Sequence, residues 1–164
     1  MEYKWEIVEK YVDNCPLLWI TMFSGEYTYS IDEKKRLAVP SKFRQLLGKK
    51  AVITRGLDNC LFLYPLLAWS KLAKKISQLP LAQSDARSFA RLMLGGAMEV
   101  RFDNLGRILI PDYLKDYSGL KKRIVFIGLY DRIEIWDDLE FQKYKKKTEM
   151  AAGDIAERLK ELGV

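Results

Sequence analysis

Two five-residue segments of this 164-residue chain set an acid four positions ahead of an arginine: Asp32-Glu33-Lys34-Lys35-Arg36 and Asp103-Asn104-Leu105-Gly106-Arg107. The second follows the first by 71 residues, and each runs through three apolar residues into a proline, Leu37-Ala38-Val39-Pro40 and Ile108-Leu109-Ile110-Pro111. A short aspartate accepts backbone amides in a turn, and an arginine four residues on can pair with it. As an exposed ion pair this arrangement adds little stability, which is a poor reason to carry it twice. A planar guanidinium also recognises phosphate oxygens and guanine edges. The two uses are compatible, because the acid can orient the very arginine that binds. Bare spacing favours the turn; duplication and a basic composition shift the balance toward an anionic partner.

Charge around the first segment is denser than around the second. Lys34, Lys35 and Arg36 lie in one loop, with Lys42 and Arg44 on the helix that follows. A short charge run usually marks a solvated face. If both loops touch nucleic acid, the first is expected to supply more of the salt-dependent phosphate contacts. A second basic run, Lys143-Tyr144-Lys145-Lys146-Lys147, reads as a solvated helix end suited to the helix dipole. The formal net charge of +6 is consistent with nucleic acid or an anionic surface, though composition alone does not decide.

Several chemistries find no residues to carry them. The chain has no histidine, which removes histidine triads, histidine acid–base catalysis and histidine metal sites. Cys15 and Cys60 are too few for a disulfide framework or a four-thiolate zinc site, and read as reduced thiols. Neither a phosphate-cradling glycine loop ending in Gly-Lys-Ser/Thr nor a Gly-x-Gly-x-x-Gly occurs. The expectation is a non-enzyme without metal, cofactor or small-molecule substrate. No apolar run reaches the length of a membrane span, and a cytoplasmic location is expected.

Each Asp–Arg segment sits in the same succession of elements. Tyr27, Tyr29 and Ile31 alternate with polar or small residues, the period of a half-buried strand. A polar turn follows, then the strand Leu37-Ala38-Val39, then a proline-led helix over 41–47 stopped by Gly48. Strands over 51–54 and 60–64 flank a turn at 55–59. The second half repeats this plan from Met98 to Trp136, with Gly119, Gly128 and Leu129 matching Gly48, Gly56 and Leu57. Between the halves, Pro65 opens one helix and Ser84-Asp85 can cap another that ends at Gly95-Gly96. Asp137 and Glu140 read as a capping box for a last helix, followed by an amphipathic tail. Tyr27, Tyr29, Trp69 and Trp136 are placed as core rather than as base-stacking platforms. The division expected is an extension at 1–21, a first domain at 26–68, a helical connector at 69–96, a second domain at 97–140 and a helical tail at 141–164. An internal duplication of this kind makes a pseudo-two-fold fold the natural expectation. Residues 1–21 match nothing in the second repeat, so they read as an added extension or an early start codon. Mass spectrometry of the native protein tests this, since an intact Met1 sinks the early start.

The order strand, Asp-x-x-x-Arg, three apolar residues, proline, short helix, glycine resembles the AbrB-like swapped-hairpin DNA-binding units. Two such units in one chain, with helices between and after them, resemble the MraZ family of transcriptional regulators. Met22-Phe23-Ser24-Gly25-Glu26-Tyr27, Thr54-Arg55-Gly56-Leu57-Asp58, Leu63-Tyr64-Pro65 and Leu94-Gly95-Gly96-Ala97 carry the likeness further, from Met22 to about Tyr144. The resemblance implies an α+β, mostly β fold: a duplicated βαββ swapped-hairpin, double-psi-like barrel with connecting and C-terminal helices. It implies a ring-shaped homo-oligomer that binds double-stranded DNA at short direct repeats upstream of division and cell-wall genes. Repression of its own operon and association with the nucleoid follow from the same likeness. Its DNA-facing loops would be formed by Asp32, Lys34, Lys35 and Arg36 and by Asp103 and Arg107, with Arg36 carrying the binding role. One departure stands out: the family's first loop has glycine where this chain has Lys35, whereas Gly106 keeps it. If that position needs positive φ, Lys35 bears strain. The rival reading is a protein-interaction or antitoxin-like module of the same fold that does not bind DNA. A hydrolase or nuclease ranks third.

Overall fold

A computed structural model describes residues 22–163. The expectation for residues 1–21 lies outside them, as does Cys15. Among the described residues the first repeat holds β1 (Phe23–Ser30), β2 (Arg36–Ala38), α1 (Ser41–Leu47), β3 (Lys50–Arg55) and β4 (Leu61–Pro65). Helices α2 (Leu66–Ser77) and α3 (Ser84–Met93) connect it to β5 (Met98–Arg101), β6 (Arg107–Leu109), α4 (Asp112–Ser118), β7 (Arg123–Tyr130) and β8 (Arg132–Asp137). The chain ends in α5 (Asp138–Met150), α6 (Ala152–Leu159) and a short 3-10 turn. Strand β1 starts at Phe23, ahead of the expected Glu26, and β7 extends past the expected 124–127 on both sides.

The two repeats interleave. One six-stranded antiparallel sheet runs β1-β7-β8-β4-β3-β5, and a second, two-stranded sheet pairs β2 with β6. Exchange of β1 with β5, β3 with β7 and β4 with β8 leaves that order unchanged, so the sheet has the pseudo-two-fold of the sequence. The axis can be located from the ladders. Leu37 lies opposite Ile108, its own counterpart, and Phe62 lies opposite Glu134, its counterpart in the hairpins. The α+β fold class is as expected, but the sheet does not close into a barrel. Its edges are β1 and β5, and no ladder joins them.

Alternation along the central strands divides the core. Leu61 and Leu63 of β4 point with Leu37, Phe43, Ile108, Leu114 and Ile135 into a core beneath β2, β6, α1 and α4. Phe62 and Tyr64 point the other way, to Ile76, Met93, Trp136 and Phe141 beneath α2, α3 and α5. A strand covered on both faces reads as one continuous apolar run, as Leu61-Phe62-Leu63-Tyr64 does. Of the aromatics expected in the core, Trp136 is buried, 5.7 Å from Phe141, while Tyr27, Tyr29 and Trp69 are half-buried against it, Tyr27 edge-on to Phe43 at 5.1 Å.

Two expected caps differ. Ser84 is already the first helical residue, and no side chain caps α3. Asp137 does cap α5, its carboxylate accepting the Glu140 N–H at 3.4 Å. The return half of the box is missing because the Glu140 carboxylate takes Lys143 Nζ at 2.8 Å instead.

Candidate nucleic-acid interface

The ladder of β2 and β6 brings the two Asp–Arg loops side by side. Each loop is a tight turn closed by its own backbone: the Lys35 N–H donates to Asp32 O at 3.0 Å, and the Gly106 N–H to Asp103 O at 2.9 Å. The residue that closes the turn has positive φ in both, +60° at Lys35 and +72° at Gly106. The conditional expectation about Lys35 is therefore met: a side-chain-bearing residue occupies the left-handed conformation, at a cost of roughly 1–2 kcal/mol. From there the chain crosses to the other repeat. The Ile110 N–H donates to Lys35 O at 2.9 Å, and the Val39 N–H to Gly106 O at 3.1 Å.

Within this frame the aspartates grip both ends of the arginine that follows. Asp32 Oδ1 accepts the Arg36 backbone N–H at 2.9 Å, while Oδ2 accepts Nε at 2.8 Å and lies 2.8 Å from Nη2. Asp103 repeats the grip on Arg107, with 2.9 Å to the backbone and 2.7 Å to both Nε and Nη2. These are charge-assisted bonds that fix the guanidinium plane. The Arg36 backbone N–H bond leads in holding the Asp32 carboxyl below its ordinary range; for Asp103 the bond from the Arg107 side chain leads. Arg107 Nη1 also lies 3.7 Å from Asp32 Oδ2, which ties one loop to the other. Both arginine side chains are partly buried, at 35% exposure for Arg36 and 23% for Arg107. The loops therefore present oriented guanidinium edges rather than free side chains.

The rest of the basic cluster is dispersed among distinct partners. Lys34 is exposed, with no side-chain partner among the described residues. Lys35 pairs with Asp112 at the start of α4, in the other repeat. Lys42 Nζ reaches Ser24 Oγ at 3.4 Å. Arg44 does not lie on a solvated face: its guanidinium sits against the Cα of Gly106, where a Cβ would collide with it. Sequence reasoning missed Asp112 and the place of Arg44, since nothing in the sequence joins positions 35 to 112 or 44 to 106 until the interlock is known. In the later basic run, Lys145 is tied to Glu26 of β1 at 2.9 Å, so only part of that run is a free helix end.

Elsewhere the chemistry is sparse. Cys60 is buried, its Sγ donating to Leu57 O at 3.0 Å, and burial pushes its thiol far above the ordinary range. Among the described residues no group of three or more Cys, Asp or Glu is placed to hold a metal. A surface cavity of about 570 Å³ is lined by Asp58, Tyr117, Trp136, Glu140 and Lys143, none of them in the loops. No described helix is long and apolar enough to cross a membrane.

Residues 22–92 and 93–162 each match the family described as "MraZ protein, putative antitoxin-like", and each match contains one Asp–Arg loop. A protein of Acetivibrio thermocellus named "Transcriptional regulator MraZ" is 47% identical over 143 residues, which cover 87% of this chain and all of that relative. Proteins with the same name from Natranaerobius thermophilus and Halothermothrix orenii are 48% identical over 138 residues and 46% over 143. They cover 84% and 87% of this chain, and 96% and 100% of the relatives.

Proposed function

This chain belongs to the MraZ family, and on that premise we propose that it is a DNA-binding transcriptional regulator which reads DNA through its two Asp–Arg loops. The observation that carries the reading is the pair of loops brought together about the pseudo-two-fold, each aspartate holding its arginine in one plane. Fixed guanidinium edges suit phosphate oxygens or guanine, and their rigidity lowers the entropy lost on docking. Lys34, exposed in the first loop, adds a phosphate contact that the second loop's own segment does not supply, so of the two segments the first contributes the larger share of binding.

The finer reading is that the protein binds short direct repeats upstream of division and cell-wall genes, represses its own operon there and works as a ring of identical subunits at the nucleoid. Several loops engaged at once would turn weak single contacts into tight binding only where repeat spacing matches subunit spacing. A footprint on the region upstream of its own gene tests this. Protected direct repeats are expected, and Arg36→Glu is expected to abolish protection while the mass of the oligomer stays the same. Protection that survives Arg36→Glu refutes the site.

One observation favours the rival protein-interaction reading. Leu105, at the tip of the second loop, is 69% exposed and Leu109 on β6 is 58% exposed, next to the same arginines. If those residues serve a protein partner alone, the protein binds the promoter fragment no better than a scrambled one.

A further inference from the structure

Lys34 and Lys42 lack a carboxylate but are exposed to water, whereas Arg44 is partly buried with no anion among the described residues. It stands in the last turn of α1, in the first repeat, yet its side chain crosses to the second repeat and covers Gly106. Gly106 is buried, has φ of +72° and is the residue immediately before Arg107. Arg36 and Arg107 each have an aspartate and Lys35 has Asp112, whereas Arg44 has neither a carboxylate nor any side-chain hydrogen bond among the described residues. Its Nε is buried and unsatisfied, although the residue as a whole keeps partial exposure.

A guanidinium is stripped of part of its water here without compensation inside the chain, and such an arrangement costs free energy. Its position in the last turn suits the helix dipole, but that interaction satisfies none of its N–H groups. An outside anion does not reach the buried Nε, but one with several acceptor oxygens can bond the Nη groups, which are not buried, and offset part of that cost. A phosphodiester does so, and a guanidinium can grip it through two parallel bonds.

Resting on the DNA-binding reading above, we propose that Arg44 is a phosphate-binding residue of the DNA interface, docked on Gly106 so that it flanks Arg107. The two loops then differ in kind. The first uses Lys34 and Arg36 from its own segment; the second has Leu105 in place of the lysine and borrows its phosphate contact from the helix of the opposite repeat. This also accounts for glycine at 106 and not at 35. The space a Cβ would need at 106 holds the guanidinium, whereas Lys35 extends away to Asp112.

Affinity of the full chain for its upstream fragment and for a scrambled fragment, measured across salt concentration, tests the proposal. Arg44→Gln and Arg44→Met both remove the charge, and the methionine keeps an aliphatic cover over Gly106. Either is expected to weaken both fragments by a similar factor and to lower the slope of log affinity against log salt by about 0.9 per bound site. Over a fourfold rise in salt, that flattens the fall in affinity by about threefold. Arg44→Lys is expected to keep the slope. A slope unchanged in the neutral variants, whatever the affinity, overturns the proposal and leaves Arg44 a support for the loop. Wild-type protein that binds neither fragment overturns the DNA-binding reading itself, and the proposal with it.

Discussion

Lys35 and Gly106 occupy the same place in the two repeats and are held in the same left-handed conformation, yet their neighbours differ. Exchanging the two residue types should therefore have unequal effects. Gly106→Lys adds backbone strain and a collision with Arg44, and is expected to cost about 2 kcal/mol or more in denaturant unfolding. Lys35→Gly relieves strain but frees the unfolded chain and gives up an exposed ion pair, so it should change stability by less than about 1 kcal/mol. The aspartates make a second prediction at this scale. The carboxyls of Asp32 and Asp103 are depressed in the folded state, so their contribution is present above the ordinary value of 3.8 and is lost as pH falls through the folded values. Acidification below that ordinary value should thus destabilise the wild type more than an Asp32→Asn, Asp103→Asn double variant, as read by unfolding midpoints against pH. The Asp–Arg pairs and the need for positive φ were legible because they are local. The contacts of Lys35 with Asp112 and Arg44 with Gly106 were not, because each partner lies in the other repeat.

The β2–β6 ladder is the element on which the loops depend. Leu37 and Ile108 face each other across the pseudo-two-fold and are both fully buried. Leu37→Ala or Ile108→Ala is expected to cost about 2–5 kcal/mol. Because the two positions are paired in one ladder, the double variant should depart from additivity by about 0.5 kcal/mol or more, and purely additive unfolding energies would show that the ladder is not shared. Most elements could be read from period, proline and glycine: α1 begins after Pro40 and stops at Gly48 as expected. Caps were less legible. Ser84 and Glu140 have the right types at the right spacing, but a side chain with a competing partner, as Glu140 has in Lys143, leaves the local pattern unfulfilled.

At the scale of the whole molecule, the duplication predicted a two-fold but not which strands would pair. Strand β1 is bonded to β7 and β5 to β3, so each repeat donates its first strand to the other. Pairing between repeats is decided by which apolar faces fit, and local periodicity does not carry that information. The open edges at β1 and β5 follow from the same cause. An interlocked sheet should unfold as one unit: far-ultraviolet ellipticity and tryptophan fluorescence should report a single coincident transition, and two separate transitions would contradict a shared core. The proposal is that the paired loops form a surface for double-stranded DNA. It is tested most directly by the affinity of the full chain for the fragment upstream of its own gene, measured between about 50 and 200 mM salt beside a scrambled fragment. Tighter binding to the native fragment is expected, with a steep linear fall of log affinity with log salt. Affinity that is indifferent to salt, or equal for the two fragments, would contradict it.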